Sequence, residues 1–509
     1  MNKIYQKECE STCEYSLPDY LGDVKKILTV SSSVIPSGKF VSDGEAEFSG
    51  VVTYDVLYSD SEGKLTHLTA SSDYDVAVPI DSLGYADAFA QSRVAGLGVR
   101  LTGPRKLIAK AVVSNTVKVS CEEELSCGGD AFSEGNNPQT ATRNISVEKS
   151  LFASSPEREY AEEAEHLNGV YPDDIEIIAT SGAVRIIESE ATEGGVLVRG
   201  ELIITSIIRT ENQPPFAIKK IIPFEETVNL DGLTPDMQVM ADGYLTSVTS
   251  GVSEDADGSV ITVNAIAELS CVASVNEAVS VITDAYLENR DTSGEYESYG
   301  YTELICMSNA EESISASVSR TDIGCEEIRD ILTLSCDVRS FDKNIGRGGF
   351  ELKGEALFSG VACEINENND VSYQPVKFTV PFSLGVNCGC QIPDTASLEC
   401  SVSAVDTEAT LDSEKLTVKS LLKIGYRVTN SSAIRRITEC STVGNTEYLS
   451  TSSTVTVYYP EENESLFEIA KKYHTTGAKI ASDNNLSEPT LANSDSPLSL
   501  AGVKKLIIR

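Results

Sequence analysis

The sequence predicts a mainly β protein: three repeated antiparallel β-sandwich or barrel-like domains followed by a small βααβ module. Three observations carry that expectation. Short β-branched runs are separated by Gly, Asp and Asn turns. One residue pattern returns three times at a period of about 150 residues. Near the C-terminus the apolar spacing changes to that of amphipathic helices.

The repeat starts from Ile27-Leu28-Thr29-Val30, Ile177-Ile178-Ala179-Thr180 and Ile331-Leu332-Thr333-Leu334. In each copy a glycine follows the first isoleucine at the same distance, at Gly50, Gly200 and Gly354. An acidic residue precedes the isoleucine (Asp23, Asp173, Glu327) and a valine follows it (Val34, Val184, Val338), again at fixed distances. The glycines open strand-like runs and are read as backbone requirements. An apolar-Pro-apolar step follows at Val78-Pro79-Ile80, Ile222-Pro223-Phe224 and Val380-Pro381-Phe382, where a residue without an N–H suits an edge strand. Each copy closes with a further strand pattern near Ala109, Val263 and Val418. A period this long is that of a domain, and a chain of 509 residues is too long for one core. The expected units are 13–126, a linker at 127–143, 144–287, 302–441 and a terminal module at 454–509.

In that module Thr456-Val457-Tyr458 reads as a strand, and Ser465 with Glu468 has capping-box spacing at the start of a helix. Leu466, Ile469, Ala470 and Tyr473 form its apolar face. Thr476 caps a second helix that buries Ala478 and Ile480, Asn484-Asn485-Leu486 closes it, and Leu506-Ile507-Ile508 is the returning strand.

Composition limits the function. The net charge is -38, of which the terminal module carries only -1, with six Lys and Arg against seven Asp and Glu from Thr456 onward. Such a surface argues against nucleic acid and anionic membranes. No segment approaches the ~20 apolar residues of a membrane span. The polar start Met1-Asn2-Lys3-Ile4 lacks the apolar core of a secretory signal, so a cytosolic protein is expected. Thirteen cysteines at irregular spacing read as free thiols within strands. Cys388-Gly389-Cys390 is the one tight pair, and with three histidines in the chain no metal site or cofactor is expected. Phosphate-loop, zinc-protease and nucleophile-elbow motifs are absent. The acidic pairs Asp173-Asp174 and Glu326-Glu327 recur at one repeat position, which suits a structural role, so no enzyme is expected.

The pattern Ser465-Leu466-x-x-Ile469-Ala470, Tyr473, Asn484-x-Leu486 and Leu506-x-Ile508 resembles a LysM module. Asn463-Glu464 stands in place of the usual Gly-Asp, and Phe467 in place of the common Trp. The resemblance implies binding of N-acetylglucosamine polymers, or of a protein, through loops around the helices. The repeats, through Pro172-Asp173-Asp174-Ile175, Gly200-Glu201-Leu202, Ile222-Pro223-Phe224 and Pro235-Asp236-Met237, resemble the SPOCS-domain proteins of spore-forming Clostridia. That resemblance implies a spore-coat morphogenetic protein on the mother-cell side of the forespore, its LysM module docking the coat-scaffold ATPase SpoIVA.

The residues nominated for partner or glycan binding are Asn463, Glu464, Ser465, Leu466, Phe467, Lys471, Asn484, Asn485 and Leu486, with Lys472 beside them. Phe467 lies outside the apolar stripe and either meets a partner or covers the module's edge; Asn484 alternatively caps the second helix. Two functions follow as expectations: a coat-assembly adaptor binding a scaffold and other coat proteins, or a peptidoglycan-binding protein of the wall or cortex.

Overall fold

The computed structural model describes the chain except residues 1, 43, 81–85, 122–124, 212, 257, 324–327, 366–370, 413, 445–454, 462–463, 487–499 and 501–502. The first unit holds β1 (Asn2–Ser16), β2 (Val24–Ser42), β3 (Glu45–Asp60), β4 (Leu65–Pro79), β5 (Ala86–Gly103) and β6 (Lys106–Cys121). The second holds β7 (Gln139–Ser154), β8 (Arg158–Asn168), β9 (Ile175–Thr192), β10 (Gly195–Thr210), β11 (Gln213–Asn229), β12 (Gln238–Asp255) and β13 (Gly258–Tyr286). The third holds β14 (Thr292–Ser319), β15 (Ile328–Gly346), β16 (Gly349–Ile365), β17 (Val371–Asn387), β18 (Ala396–Leu411) and β19 (Lys415–Thr442). The terminal module is β20 (Thr456–Tyr458), α1 (Leu466–Lys472), α2 (Gly477–Asp483) and β21 (Leu506–Ile508).

Each unit is a sandwich of two antiparallel sheets with one topology. One sheet has the order β2-β3-β4, repeated as β9-β10-β11 and β15-β16-β17. The other is β1-β6-β5, repeated as β7-β13-β12 and β14-β19-β18, with β8 continuing β7 along the same edge of β13. Alternation explains the faces: in β3 the side chains of Val52, Tyr54, Val56 and Tyr58 are buried, and in β6 Leu107, Ala109, Ala111 and Val113 meet them. Equivalent layers fill the other two sandwiches, from Val198 to Ala265 and from Phe358 to Val418.

The repeat read from sequence is a repeat of register. Val34, Val184 and Val338 pair with Val52, Leu202 and Ala356, each two residues beyond the marker glycine. The proline step needs one correction. Pro223 and Pro381 pair beside their glycines, opposite Glu201 and Glu355, whereas Pro79 pairs with Glu45 at the end of β4. The register counterpart of Pro223 in the first unit is Asp73, because Tyr74 there holds the place of Phe224 and Phe382 opposite the glycine. All three prolines lie on edge strands.

Strand ends also differ from the expected units. The first strand starts at Asn2, well before residue 13, because β1 pairs along its whole length with β6. The glycine-rich stretch 127–143 contains a short 3-10 turn at Asp130–Phe132 and the start of β7. Residues 288–301, left between the expected second and third units, lie largely within β14, whose first half pairs with the last part of β19. Glu326, Glu327 and Asn463 lie outside the described residues.

The three sandwiches close around one another. Leu28, Ile178 and Leu332 meet Leu57, Ile207 and Val361 in a single apolar cluster, so the same two repeat positions from every unit share one core. A buried ionic cluster makes a second junction. Glu148 of the second unit bonds both Lys118 of the first, at 3.0 Å, and the Arg427 guanidinium of the third, while Arg427 also reaches Glu399 at 2.6 Å. Gln91 bonds Asp242 at 3.1 Å and Ser401 at 3.2 Å, and Lys423 bonds Asp242 at 2.7 Å. The body is therefore one assembly of three sandwiches linked by both apolar and ionic contacts.

Candidate functional site

The terminal module folds on local signals. Ser465 caps α1 as expected: its Oγ accepts from Glu468 N at 3.2 Å, and its own N–H donates to Glu468 Oε2 at 2.8 Å. Thr476 caps α2 through Lys479 N at 3.2 Å. Leu466, Ile469 and Ala470 are buried against Ile480, Ala481, Leu506 and Ile508. The two strands pair antiparallel, Val457 opposite Ile507.

Several nominated residues are consumed by this architecture. Asn484 is the C-cap of α2, and it also donates Nδ2–H to the Ile507 carbonyl at 2.7 Å and accepts Ile507 N–H at 2.7 Å. It thus stitches the second helix to the last strand. Glu464 accepts from the Tyr458 hydroxyl at 2.7 and 2.9 Å, and this bond raises the phenol's pKa. Leu466 is core, and Leu486 packs at its rim. Asn485 is exposed in a left-handed conformation (φ 52°), and Lys472 is exposed with its ammonium 5.0 Å from the centre of the Tyr458 ring.

Phe467 and Lys471 face the body of the same chain. The Phe467 ring stands edge-on to Tyr286, centroids 5.2 Å apart, and Tyr286 belongs to the module's own apolar cluster. The Tyr286 hydroxyl donates to the Thr475 carbonyl at 2.7 Å. Burial pushes that phenol well above its ordinary range. Lys471 bonds both oxygens of Asp284 at 2.6 Å. Burial works against its charge, but the Asp284 carboxylate outweighs it and the pKa is raised. Asn289 N donates to the His474 carbonyl at 2.8 Å, and the His474 ring lies 3.2 Å from the Arg290 carbonyl and 3.3 Å from Asp291. The first helix and the following turn are therefore clamped to the end of β13 and to residues 289–291, which lead into β14.

The open side of the module is its strand. Val455, Val457 and Tyr459 alternate outward, 60%, 52% and 69% exposed. Sequence periodicity picks out that alternation once the strand is placed. The clamp residues Asp284 and Tyr286 carry no local signal, because their partners lie far along the chain.

The cysteine pair acquires a third member. Cys306 of β14 bonds with Cys388 and Cys390 through side chains, all within the core of the third sandwich. Burial and the neighbouring thiols push Cys306 far above the ordinary thiol range. The twelve described cysteines are free. No helix among the described residues is long and apolar enough to cross a membrane.

Comparison with protein families gives two matches. A family model described as SipL, SPOCS domain, matches residues 174–253, and one described as LysM domain matches residues 461–494. No curated protein matches the chain, and no solved structure does. The SPOCS match spans β9, β10, β11 and most of β12, so it covers one whole sheet of the second sandwich and the strand that leads into the other.

Proposed function

We propose that this chain, which carries the SPOCS domain of SipL and a C-terminal LysM domain, is a non-enzymatic assembly adaptor of the forming spore envelope. Both domains are of non-catalytic binding types, one associated with sporulation and the other with peptidoglycan. In the proposed role the three sandwiches act as an acidic platform that meets other coat proteins. The LysM module docks a coat scaffold protein of the SpoIVA type at the forespore surface, from the mother-cell side.

The observation that carries the reading is the division of the LysM surface. One face is held by Tyr286 and Asp284 of the body, while the exposed apolar strand Val455, Val457 and Tyr459 points away from the helices. An apolar stripe on a two-stranded sheet suits a protein surface, which can cover it with shape-matched side chains. The LysM match itself favours a second reading, binding of peptidoglycan-type glycan, for which Tyr459 is an exposed ring able to stack on sugar.

Full-length protein presented in parallel to a SpoIVA-type scaffold and to insoluble peptidoglycan separates the two. The whole chain is needed because Tyr286 is part of the module's core. Retention by the scaffold, lost in Val457→Arg, supports the adaptor. Retention by glycan alone, lost in Tyr459→Ala, overturns it in favour of the second reading.

A further inference from the structure

Between the first and second sandwiches lies a cavity of about 430 Å³. Its walls come from both units: Phe48, Tyr74 and Phe89 on one side, Phe152 and Tyr244 on the other, with Glu268 among its polar groups. Cavities of this size at domain boundaries are where side-chain-sized ligands bind. Phe89 and Phe152 stack across the boundary with centroids 5.7 Å apart and planes 8° from parallel, which gives the cavity a flat aromatic wall. That wall exists only when the two sandwiches are together.

The lining carries one carboxylate, Glu268, among serines. Glu268 bonds the Tyr244 phenol, and Glu157 lies close enough to act on both groups. Among the described residues no Lys or Arg forms an ion pair with Glu268 or Glu157. Lys39, the one basic residue in the lining, is held by Asp87 at 2.5 Å. Burial, followed by the Glu157 charge, raises the Glu268 pKa even though the Tyr244 bond pulls it down. A half-buried carboxylate of this kind is stabilised by an incoming positive charge. Aromatic faces add to that attraction and accept an alkyl stem alongside.

We propose that this cavity receives the cationic side chain of a partner protein, a lysine or an arginine, with Glu268 as its counter-ion and the Tyr74, Phe89, Phe152 and Tyr244 rings along its stem. The choice of a basic protein segment follows from charge complementarity with a chain of net charge -38. The site stands apart from the LysM module, so the proposal neither needs nor tests the reading given above.

The test is calorimetric titration of the full chain with three small probes: the N-acetyl methylamides of lysine, arginine and norleucine. The expected result is saturable one-site binding of the lysine or the arginine probe, the two arms separating the sources, with none of the neutral norleucine probe. Glu268→Gln keeps an acceptor for Tyr244 and should weaken binding at least tenfold. Glu254→Gln removes the same charge from an exposed position on the neighbouring strand and should leave affinity unchanged. Equal weakening by both variants would mean diffuse attraction to an acidic surface and would overturn the site. Binding of norleucine as tightly as lysine would overturn the cation, and absence of saturable binding by either cationic probe would overturn the proposal as a whole.

Discussion

Gly200 lies directly beneath the ring of Phe224, its cross-strand partner: a Cβ on that glycine would stand 2.6 Å from Phe224 Cζ and 2.3 Å from the Arg185 carbonyl oxygen. The register to β9 shifts at this same point, so the bulge and the ring together leave no room for a side chain. Gly50 repeats the arrangement under Tyr74, with its virtual Cβ 2.5 Å from Tyr74 Cε1 and from the Ile35 carbonyl oxygen. At Gly354 the crowding comes instead from the Ser340 carbonyl oxygen at 2.6 Å and Phe341 Cβ at 3.0 Å. The glycine that marks the repeat in sequence is therefore a packing requirement of the fold.

Replacing that glycine forces backbone apart, and overpacking of this kind costs about 1–3 kcal/mol. Gly200→Ala and Gly50→Ala should each lower the urea midpoint with an unchanged slope. Gly98→Ala, where a Cβ meets nothing within 4 Å, is the matched control and should leave the midpoint where it is. Equal midpoints for Gly200→Ala and wild type would show that the ring simply moves aside.

The ionic cluster at the junction of the three sandwiches predicts a different response. Glu148 is almost fully buried and neutralises both Lys118 and Arg427. Glu148→Gln leaves Lys118 in the interior without its carboxylate and Arg427 with Glu399 alone, a change worth ~3–5 kcal/mol when a buried pair is broken from one side. Chemical unfolding should show that loss, whereas Glu277→Gln at an exposed pair with Lys149 should cost less than about 1 kcal/mol.

Lys118 also gives a pH signature. Burial, partly countered by Glu148, lowers its pKa from 10.5 to about 8. Below pH 8 the group is charged in both states and the folded state bears the cost. Between about 8 and 10.5 the unfolded chain holds the proton and the folded chain does not, so this group's contribution to stability rises with pH. Wild type should therefore gain on Lys118→Met by up to ~3 kcal/mol across that interval. A flat difference between the two stability curves would show that Lys118 keeps its proton.

Much of this was legible in the chain itself, and the limits have physical causes. The spacing from Ile27 to Gly50 survives in all three copies because strand length and bulge position fix it, and the register bears out the equivalence of Ile27, Ile177 and Ile331 and of Val34, Val184 and Val338. Pro79 misleads because residue identity does not decide register where only cross-strand pairing does, and Tyr74 holds the aromatic place earlier on the same strand as that proline. The capping box at Ser465 and Glu468 was readable because it is local. Phe467 and Lys471 were not, since what they touch, Tyr286 and Asp284, lies in another unit. Cys306 escaped for the same reason: its partners Cys388 and Cys390 are brought to it by the sandwich and by no spacing in the sequence.

The clamp on the LysM module should be measurable by hydrogen exchange. Lys471 and Asp284 are about two-thirds to three-quarters buried and bonded through both carboxylate oxygens, so their pairing is worth more than an exposed bridge. Asp284→Asn should speed exchange of the α1 amides by about five- to thirtyfold, equivalent to ~1–2 kcal/mol, through release of the module from β13. Tyr286→Phe, which removes only the bond to the Thr475 carbonyl, should give a smaller increase in the same amides. Unchanged exchange in both variants would mean that the module's stability owes nothing to the body.

Asn484 offers the sharpest separation between a fold role and a binding role. Its amide makes three bonds at once, to the Ile480 carbonyl at 2.8 Å and to both backbone groups of Ile507 at 2.7 Å. Asn484→Ala leaves both half-buried Ile507 groups without that partner, while the Ile480 carbonyl keeps the backbone N–H of residue 484, and a loss of ~2–3 kcal/mol exceeds what a small module can spare. Asn484→Asp keeps the acceptor for Ile507 N–H but loses both donated bonds, so it should fall between alanine and wild type. Asn485→Ala next door changes an exposed side chain and should leave the module's melting transition in place, or raise nothing beyond a few tenths of a kcal/mol from its left-handed backbone. Any ligand binding that disappears in Asn484→Ala together with the melting transition reports unfolding. Binding that disappears in Asn485→Ala while the transition holds would instead place that residue on the recognition surface.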